Sequence, residues 1–411
     1  MHHLFDVFGI EIEYMIIQTE TRAVAPLTDR IMTAQCGQPE NECRLGPCEV
    51  SNELAAHVFE IKTPQPTADL DQLENDFRET VRLTNALLAE HGCRLLPGPM
   101  HPTMDPARES HTWPHGRREI YDRYNAIFDC RGHGWFNLQS CHINLPFADD
   151  REFALLHSAV VLVLPLLPAL AAGSPFRDGK PTGLADTRLD TYQHNQARCP
   201  AITGAVIPEA VFSEEEYRQT ILEPMYAEIR PLDPDGLLQE EWLNSRGAIA
   251  RFDRGAIEIR LLDSQECPLA DLALADFFIQ TIRFLVEERG GLLRKLVQTS
   301  PLDGKARQLR EVIRHGLSAP VLLPELREAF SLSSDPATAA DFWQAIASGP
   351  VGKGLSPRRR ETVNTLLRSG NLADRLLAFY QANEGQAAFA PMMDRLSDCL
   401  ATNQLFTPSS T

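Results

Sequence analysis

Within Phe8-Gly9-Ile10-Glu11-Ile12-Glu13-Tyr14-Met15-Ile16, apolar and acidic residues alternate from Ile10 to Tyr14, the period of a half-buried strand. That period puts Glu11 and Glu13 on one face and Ile10, Ile12 and Tyr14 on the other. Three later segments share the texture. Glu258 and Arg260 fall together in Ala256-Ile257-Glu258-Ile259-Arg260-Leu261, His142 and Asn144 in Ser140-Cys141-His142-Ile143-Asn144-Leu145, and Glu60 and Lys62 in His57-Val58-Phe59-Glu60-Ile61-Lys62. Helical spacing takes over across residues 67–91, 214–226 and 268–289, the first two opening with acids that suit a helix N-terminus. The apolar run 153–172 reads as a core helix opened by Asp149-Asp150-Arg151-Glu152 and ended at Pro165 and Pro168. From about Pro301 the pattern is helix after helix, punctuated by Pro324, Pro336, Pro350 and Gly370. The expected fold is therefore α+β, with a catalytic body over residues 1–300 and a helical region over 301–411 packed on or extending it.

Two carboxylates side by side on a strand repel unless a positive group lies between them, and a divalent metal is a common such group. The plain alternative is a solvated polar face on an edge strand. Four strands, each offering acids, imidazole or guanidinium on one face, favour a polar funnel over an antiparallel sheet, able to hold several metals and a polyphosphate.

Composition narrows this picture. A chain of 411 residues with 43% hydrophobic content can bury a large core, and a formal charge of -17 argues against nucleic acid or an anionic membrane as partner. Nine cysteines without CxxC pairs suggest reduced thiols of a cytoplasmic protein. Cys36, Cys43 and Cys48 match no zinc spacing and are expected to be free. Cys141 and His142 are neighbours on a strand, so they point to opposite faces and form no dyad. The chain enters its first strand directly after Met1-His2-His3-Leu4, leaving no room for a signal peptide. Residues 153–172 pass a crude membrane-span test, but a span there would separate His142 from Glu258 and destroy the funnel. Arg358-Arg359-Arg360, the strongest basic run, reads as a solvated face or as internal ion-pair partners.

Gly179-Lys180 and Gly352-Lys353 lack the remaining residues of a Walker loop, Gly132-His133-Gly134 does not open a dinucleotide fingerprint, and neither GxSxG nor HExxH occurs. Any nucleotide would have to be held through metals on a sheet.

The segments Gly9-Ile10-Glu11-Ile12-Glu13, Glu60-Ile61-Lys62-Thr63-Pro64, Met100-His101-Pro102, Gln139-Ser140-Cys141-His142-Ile143-Asn144 and Ile257-Glu258-Ile259-Arg260 resemble, in order and rough spacing, the glutamate-cysteine ligase family. The resemblance is closer to its bacterial carboxylate-amine ligase branch. Ala169-Leu170-Ala171-Ala172-Gly173-Ser174-Pro175-Phe176, followed by Asp186-Thr187-Arg188, looks like that branch too, and the likeness covers about residues 5–290. It implies a glutamine synthetase-like antiparallel sheet and an ATP- and Mg²⁺-dependent ligase, with Mn²⁺ as a substitute. Such an enzyme joins an amino-acid carboxylate, by family expectation the glutamate γ-carboxylate, to an amine such as cysteine through an acyl phosphate.

By the same resemblance Glu11, Glu13, Glu60, His142 and Glu258 match metal-binding positions, Glu13 and His142 also lying on the nucleotide side, and Arg260 matches the phosphate-contacting arginine. Arg188 looks like the arginine that holds the substrate carboxylate, from a mobile Gly/Pro/Ser-rich loop, the alternative being a surface pair with Asp186 or Asp190. Asn144 and His101 match substrate-side positions. Relatives carry a further acid four or seven residues before the Glu60 equivalent; this chain has Ala56 and Glu53 there, so Glu53 joins the ligand set, with a capping role for Asn52-Glu53 as the alternative. The loop 193–208 is expected to shape the acceptor pocket. Expected partners are small amino acids and amines, and a homo-oligomer is compatible. A guanidino-kinase-like phosphotransferase and a non-catalytic ATP- or metal-binding relative are the competing readings.

Overall fold

The computed structural model describes residues 2–408. Eight strands form one antiparallel sheet: β1 (Gly9–Gln18), β2 (Glu42–Leu45), β3 (Cys48–Asn52), β4 (Val58–Lys62), β5 (Cys93–Leu96), β6 (Ser140–Pro146), β7 (Ala248–Arg251) and β8 (Ala256–Asp263). Their spatial order is β2-β3-β4-β1-β6-β8-β7, with β5 alongside the second half of β1. The alternation read from β1 is realised over Gly9–Ile12, with Ile10 and Ile12 wholly buried; from Glu13 to Ile17 both faces are covered, Met15 and Ile17 being as closed to water as Tyr14 and Ile16. Each such aliphatic side chain contributes roughly 1.5–3 kcal/mol by leaving water. That apolar face is what holds a strand whose other face carries two acids.

Helix α1 (Thr28–Cys36) precedes β2, and α2 (Leu70–Ala89), N-capped by Asp69, lies against β2 to β5. Helix α3 (Arg118–Phe128) and the single turn α4 (His133–Phe136) lead into β6. After β6 comes α5 (Asp150–Val163), whose N-cap Asp149 accepts from the Glu152 N–H at 2.9 Å. The apolar run does not end at its prolines. A tight turn over Leu164–Leu166 takes up Pro165, and a new short helix, Leu167–Ala171, starts with Pro168 in its first turn, where a missing N–H costs nothing. The span Asp150–Ala171 lies inside the molecule, 89% of its apolar window being buried.

Helix α6 (Thr187–Tyr192) sits beneath β8, and α7 (Pro268–Thr299) runs ten residues beyond the predicted end, through Gly290 and Gly291, packing along α5. Helical structure over 214–229 widens to a π turn at Arg218–Leu222, next to Pro224, which has no N–H to continue regular bonding.

Beyond residue 301 come α8 (Leu302–His315), α9 (Ala339–Ser348), α10 (Pro357–Ser369), α11 (Leu372–Ala382) and α12 (Phe389–Thr402), with shorter turns between them. Their apolar side chains join the buried cluster that lines the sheet. Charged contacts tie them further in. Glu74 on α2, 1% exposed, accepts from Arg358 at 2.7 Å and from Asn403 at 2.8 Å and pairs with Arg359 at 3.0 Å. Buried Arg375 on α11 pairs with buried Glu266, just past β8. The basic run is thus partly internal, and Arg360 donates to the carbonyls of Gly352, Lys353 and Leu355.

One expectation about cysteine is corrected. Cys36 and Cys43 form a disulfide, because α1 ends at left-handed Gly37 and the chain folds back onto the edge strand β2, bringing the two Cα atoms to 6.4 Å. The other seven cysteines, Cys48 among them, are free.

Candidate active site

Strand register decides which acids meet. Glu11 on β1 stands opposite Lys62 on β4 and His142 on β6, while Glu13 stands opposite Glu60, which in turn faces Ser51 on β3. Asn144 lies opposite both Gly9 and Glu258. The four strands read from the sequence therefore deliver their polar residues to one face of one sheet. The ligand atoms of Glu11, Glu60 and His142 all lie within 4.8 Å of one another, as do those of Glu13, Glu53 and Glu60. Glu60 belongs to both trios. Glu53, offered by the turn after β3, thus stands with the acids rather than capping a helix.

Second groups orient these side chains. The Ser51 hydroxyl donates to Glu60 at 2.5 Å. The Ser140 N–H and hydroxyl both reach Glu13 Oε2, at 2.7 and 3.1 Å. Having given its hydrogen to Glu13, the Ser140 oxygen accepts from His142 Nε2 at 2.8 Å. That leaves His142 Nδ1 aimed at Glu11 and Glu258, 3.5 and 3.7 Å away. The Asn144 amide donates to Glu11 at 2.9 Å. Alternation could have exposed Ser140, two residues before His142 on the same face. Ser51 is visible only once β3 is registered against β4.

The electrostatics match a site built for cations. Burial opposes ionisation of Glu11, yet His142 and Lys62 hold its pKa down at about 2. Burial and the neighbouring Glu13 push Glu53 up to about 7, and burial with Glu11 and Glu53 pushes Glu60 well above the usual carboxylate range. Burial also works against charging His142, but the Glu11 hydrogen bond and the Glu258 carboxylate outweigh it and raise its pKa. Lys62, tethered to Glu42 at 2.9 Å, is the lysine among these acids. Clustered oxygens with one imidazole suit a hard divalent cation such as Mg²⁺ or Mn²⁺. Because Glu53 holds a proton below about pH 7 when metal-free, and Glu60 is shifted in the same direction, a cation entering below that pH must displace protons. Mg²⁺ affinity is therefore expected to rise with pH through about 7, where Glu53 gives up its proton. Calorimetric titration in two buffers of different ionisation enthalpy reads the released protons; zero release at pH 6 would exclude this ligand set.

Glu258 stands outside both trios. Its carboxylate accepts from Arg260 Nε at 2.6 Å and lies 3.9 Å from Arg251, a residue the sequence reading did not single out. Burial disfavours the Arg260 charge, but Glu258 and the Tyr192 phenol raise its pKa.

Two expected substrate residues are placed differently. Arg188 is on helix α6, not on a mobile loop, and is 2% exposed. Its Nε donates to Asp263 at 2.6 Å and its Nη2 to the carbonyls of Arg260 and Leu262 at 3.0 and 2.9 Å. Neither proposed surface partner is used; Asp186 instead caps α6 by accepting from the Leu189 N–H at 2.8 Å. Arg188 holds the end of β8 at its bulge, next to Glu258 and Arg260 on the same strand. His101 is corrected to a structural role. Its Nε2 donates to the Arg22 carbonyl at 2.7 Å and its Nδ1 accepts from the Thr103 N–H at 3.2 Å, so the neutral ring has no nitrogen left for a substrate. Burial lowers its pKa in agreement.

Comparison with known proteins places this geometry. The whole length of an Archaeoglobus fulgidus protein, described only as uncharacterized, matches this chain at 32% identity over 97% of it. A protein of Ectopseudomonas mendocina described as a "putative glutamate--cysteine ligase 2" is 29% identical over 65% of this chain and 63% of its own length. Among solved structures, a bifunctional glutathione synthetase from Pasteurella multocida superposes with a TM-score of 0.64 at 16% identity, over 95% of this chain and 52% of that one. The chain thus spans about half of that bifunctional enzyme and shares its fold, as the expected glutamine synthetase-like sheet requires. The sequence profile of glutamate-cysteine ligase family 2 matches residues 7–391, and the chain belongs to that family of carboxylate-amine ligases.

Proposed function

We propose that the protein activates an amino-acid carboxylate, the glutamate γ-carboxylate by family expectation, with ATP and joins it to an amine. The observation that carries this reading is the pair of trios sharing Glu60, one of three carboxylates and one of two carboxylates with an imidazole, on the same sheet face as Arg260. A carboxylate oxygen attacks the γ-phosphorus, the bond to the β-phosphate oxygen breaks, and ADP leaves. The amine nitrogen then attacks the acyl carbon, the carbon–oxygen bond to phosphate breaks, and phosphate departs with the electron pair while the nitrogen loses one proton. Glu11, Glu60 and His142 would hold one Mg²⁺ and Glu13, Glu53 and Glu60 another. Such ions screen the charge between two anionic reactants and on the transferring group. Arg260 now spends its Nε on Glu258; turned to the transferring phosphoryl group it would supply a planar fork there and free Glu258 for a metal. Asn144 holds Glu11 in place, and Arg188 keeps the carbonyls of Arg260 and Leu262 fixed, acting as a positioning residue. ATP as co-substrate puts the reaction in the cytoplasm.

Hydroxylamine tests this directly, because it intercepts an acyl phosphate as a hydroxamate whatever the natural amine is. With glutamate, ATP and Mg²⁺, hydroxamate and phosphate should form in equal amounts, and excess chelator should stop both. No hydroxamate from glutamate or any other amino acid, with the metal-loaded protein, would overturn the reading.

A further inference from the structure

Five aromatic side chains gather at the Arg260 end of the sheet. On α3, Tyr124 lies 5.6 Å from Phe128 between ring centroids; Tyr124 meets Trp135 of α4 edge-on at 5.2 Å and Trp242 at 6.2 Å, and Trp135 stacks on Phe128 at 6.2 Å. The fifth is Tyr192. It follows Arg188 by one turn of α6, on the same side of the helix, and Arg188 bonds the Arg260 carbonyl. The Tyr192 hydroxyl is buried without a hydrogen-bond partner among the described residues. Helix α6 packs on α4, and the Arg260 N–H donates to the Gly247 carbonyl at 2.8 Å, five residues after Trp242.

The cluster is bracketed by the site on its other flank as well. Trp242 follows Glu241, which lies 3.8 Å from Arg251, and Arg251 lies 3.9 Å from Glu258. Arg123, next to Tyr124, fixes the segment that leads to Trp242 by pairing with Asp233 at 3.1 Å and Asp235 at 2.6 Å. Gly134 lets α4 close on the turn after α6, since a Cβ there would lie 1.9 Å from the Asn195 side chain, and the Asn195 amide donates to the Gly134 carbonyl. A closed aromatic core would bury its rings completely, as the core does Trp113 and Trp343; Phe128, Trp135 and Trp242 are only partly buried.

We propose that this aromatic cluster is the acceptor subsite and that it takes a primary amine carrying an aromatic or bulky apolar group, rather than a small thiol amino acid. The inference rests on the ligase reading above. An acceptor must approach the carbon activated beside Arg260, whereas a nucleobase is held away from its γ-phosphate by a ribose and two further phosphates. Rings on the segment that leads to the Arg260 partner Gly247 therefore fit the acceptor. Aromatic faces supply apolar area together with a quadrupole that attracts the ammonium form in which an amine arrives.

The test compares 2-phenylethylamine, cysteine and hydroxylamine as acceptors, with glutamate and ATP saturating. 2-Phenylethylamine should exceed cysteine in kcat/KM by about tenfold or more, the scale of a few ring contacts. In Trp242→Ala and Trp135→Ala, the ratio of kcat/KM for 2-phenylethylamine to that for hydroxylamine should fall about tenfold, and Trp242→Phe should restore most of it. Intrinsic fluorescence gives a second readout: 2-phenylethylamine should quench the partly exposed Trp135 and Trp242 against the buried Trp113 and Trp343. Preference for cysteine, or tryptophan variants that raise KM for ATP instead of the amine, would overturn the proposal, the latter outcome marking a nucleobase platform. Wild-type protein forming no hydroxamate would instead remove the ligase reading itself.

Discussion

Glu60→Gln should abolish turnover while leaving the folded protein at least as stable as the parent. Glu60 is the carboxylate shared by both trios, so the substitution would damage both proposed cation sites at once. A neutral amide binds hard cations poorly, and losing several kcal/mol of charge stabilisation at the transferring group corresponds to about a 10³-fold fall in kcat. Stability should move the other way. Glu60 is 5% exposed, burial and the nearby Glu11 and Glu53 disfavour its charge, and glutamine retains an acceptor for the Ser51 hydroxyl. An active-site acid held against its own repulsion is a familiar case of stability given up for function. Hydroxamate formation and a thermal melt on the same preparation decide it. An active variant would exclude Glu60 from metal binding, and an inactive one with a markedly lower Tm would make it a structural residue.

Arg188→Ala should fail broadly. Removing the guanidinium leaves Asp263, wholly buried, without its cation and strips two carbonyls at the end of β8 of their donors. Breaking one partner of a buried pair typically costs about 3–5 kcal/mol, a large share of the stability of an ordinary domain. The expected result is a much lower Tm, little soluble protein, and KM values for glutamate and ATP that change together in whatever survives. Asp263→Asn is the companion variant. It keeps an acceptor for Arg188 and should be clearly milder. A glutamate KM raised tenfold or more at unchanged Tm and unchanged ATP KM would return Arg188 to direct substrate contact.

The site-bearing strands were legible because a two-residue period exposes them without knowledge of their partners. Glu11, Glu13, Glu60, His142, Asn144, Glu258 and Arg260 all reach the face that alternation assigned to them. Pairing was not legible. That Glu13 faces Glu60, or that β8 bulges between Ile259 and Leu262, depends on register between segments far apart in the chain. Arg188 was misplaced for the same reason: its partner lies 75 residues on, and a six-residue helix between Gly- and Pro-rich stretches carries too little periodicity to stand out from loop. His101 was misplaced because backbone groups, not side chains, occupy its ring. The Cys36–Cys43 bridge depends on how α1 turns back onto β2, which no count of cysteines reveals.

The placement of Glu74 and Glu266 sets an order for the birth of the molecule. Both carboxylates are buried in the first 300 residues, and their cations, Arg358, Arg359 and Arg375, come from the last 60. A ribosome delivers the N-terminal part first, so the sheet can form while these two acids still lack counter-charges. Only synthesis past residue 375 supplies them all. The helices that carry these arginines are thus expected to dock after the sheet, and a chain stopped near residue 300 should stay bound to chaperones rather than fold as a smaller enzyme.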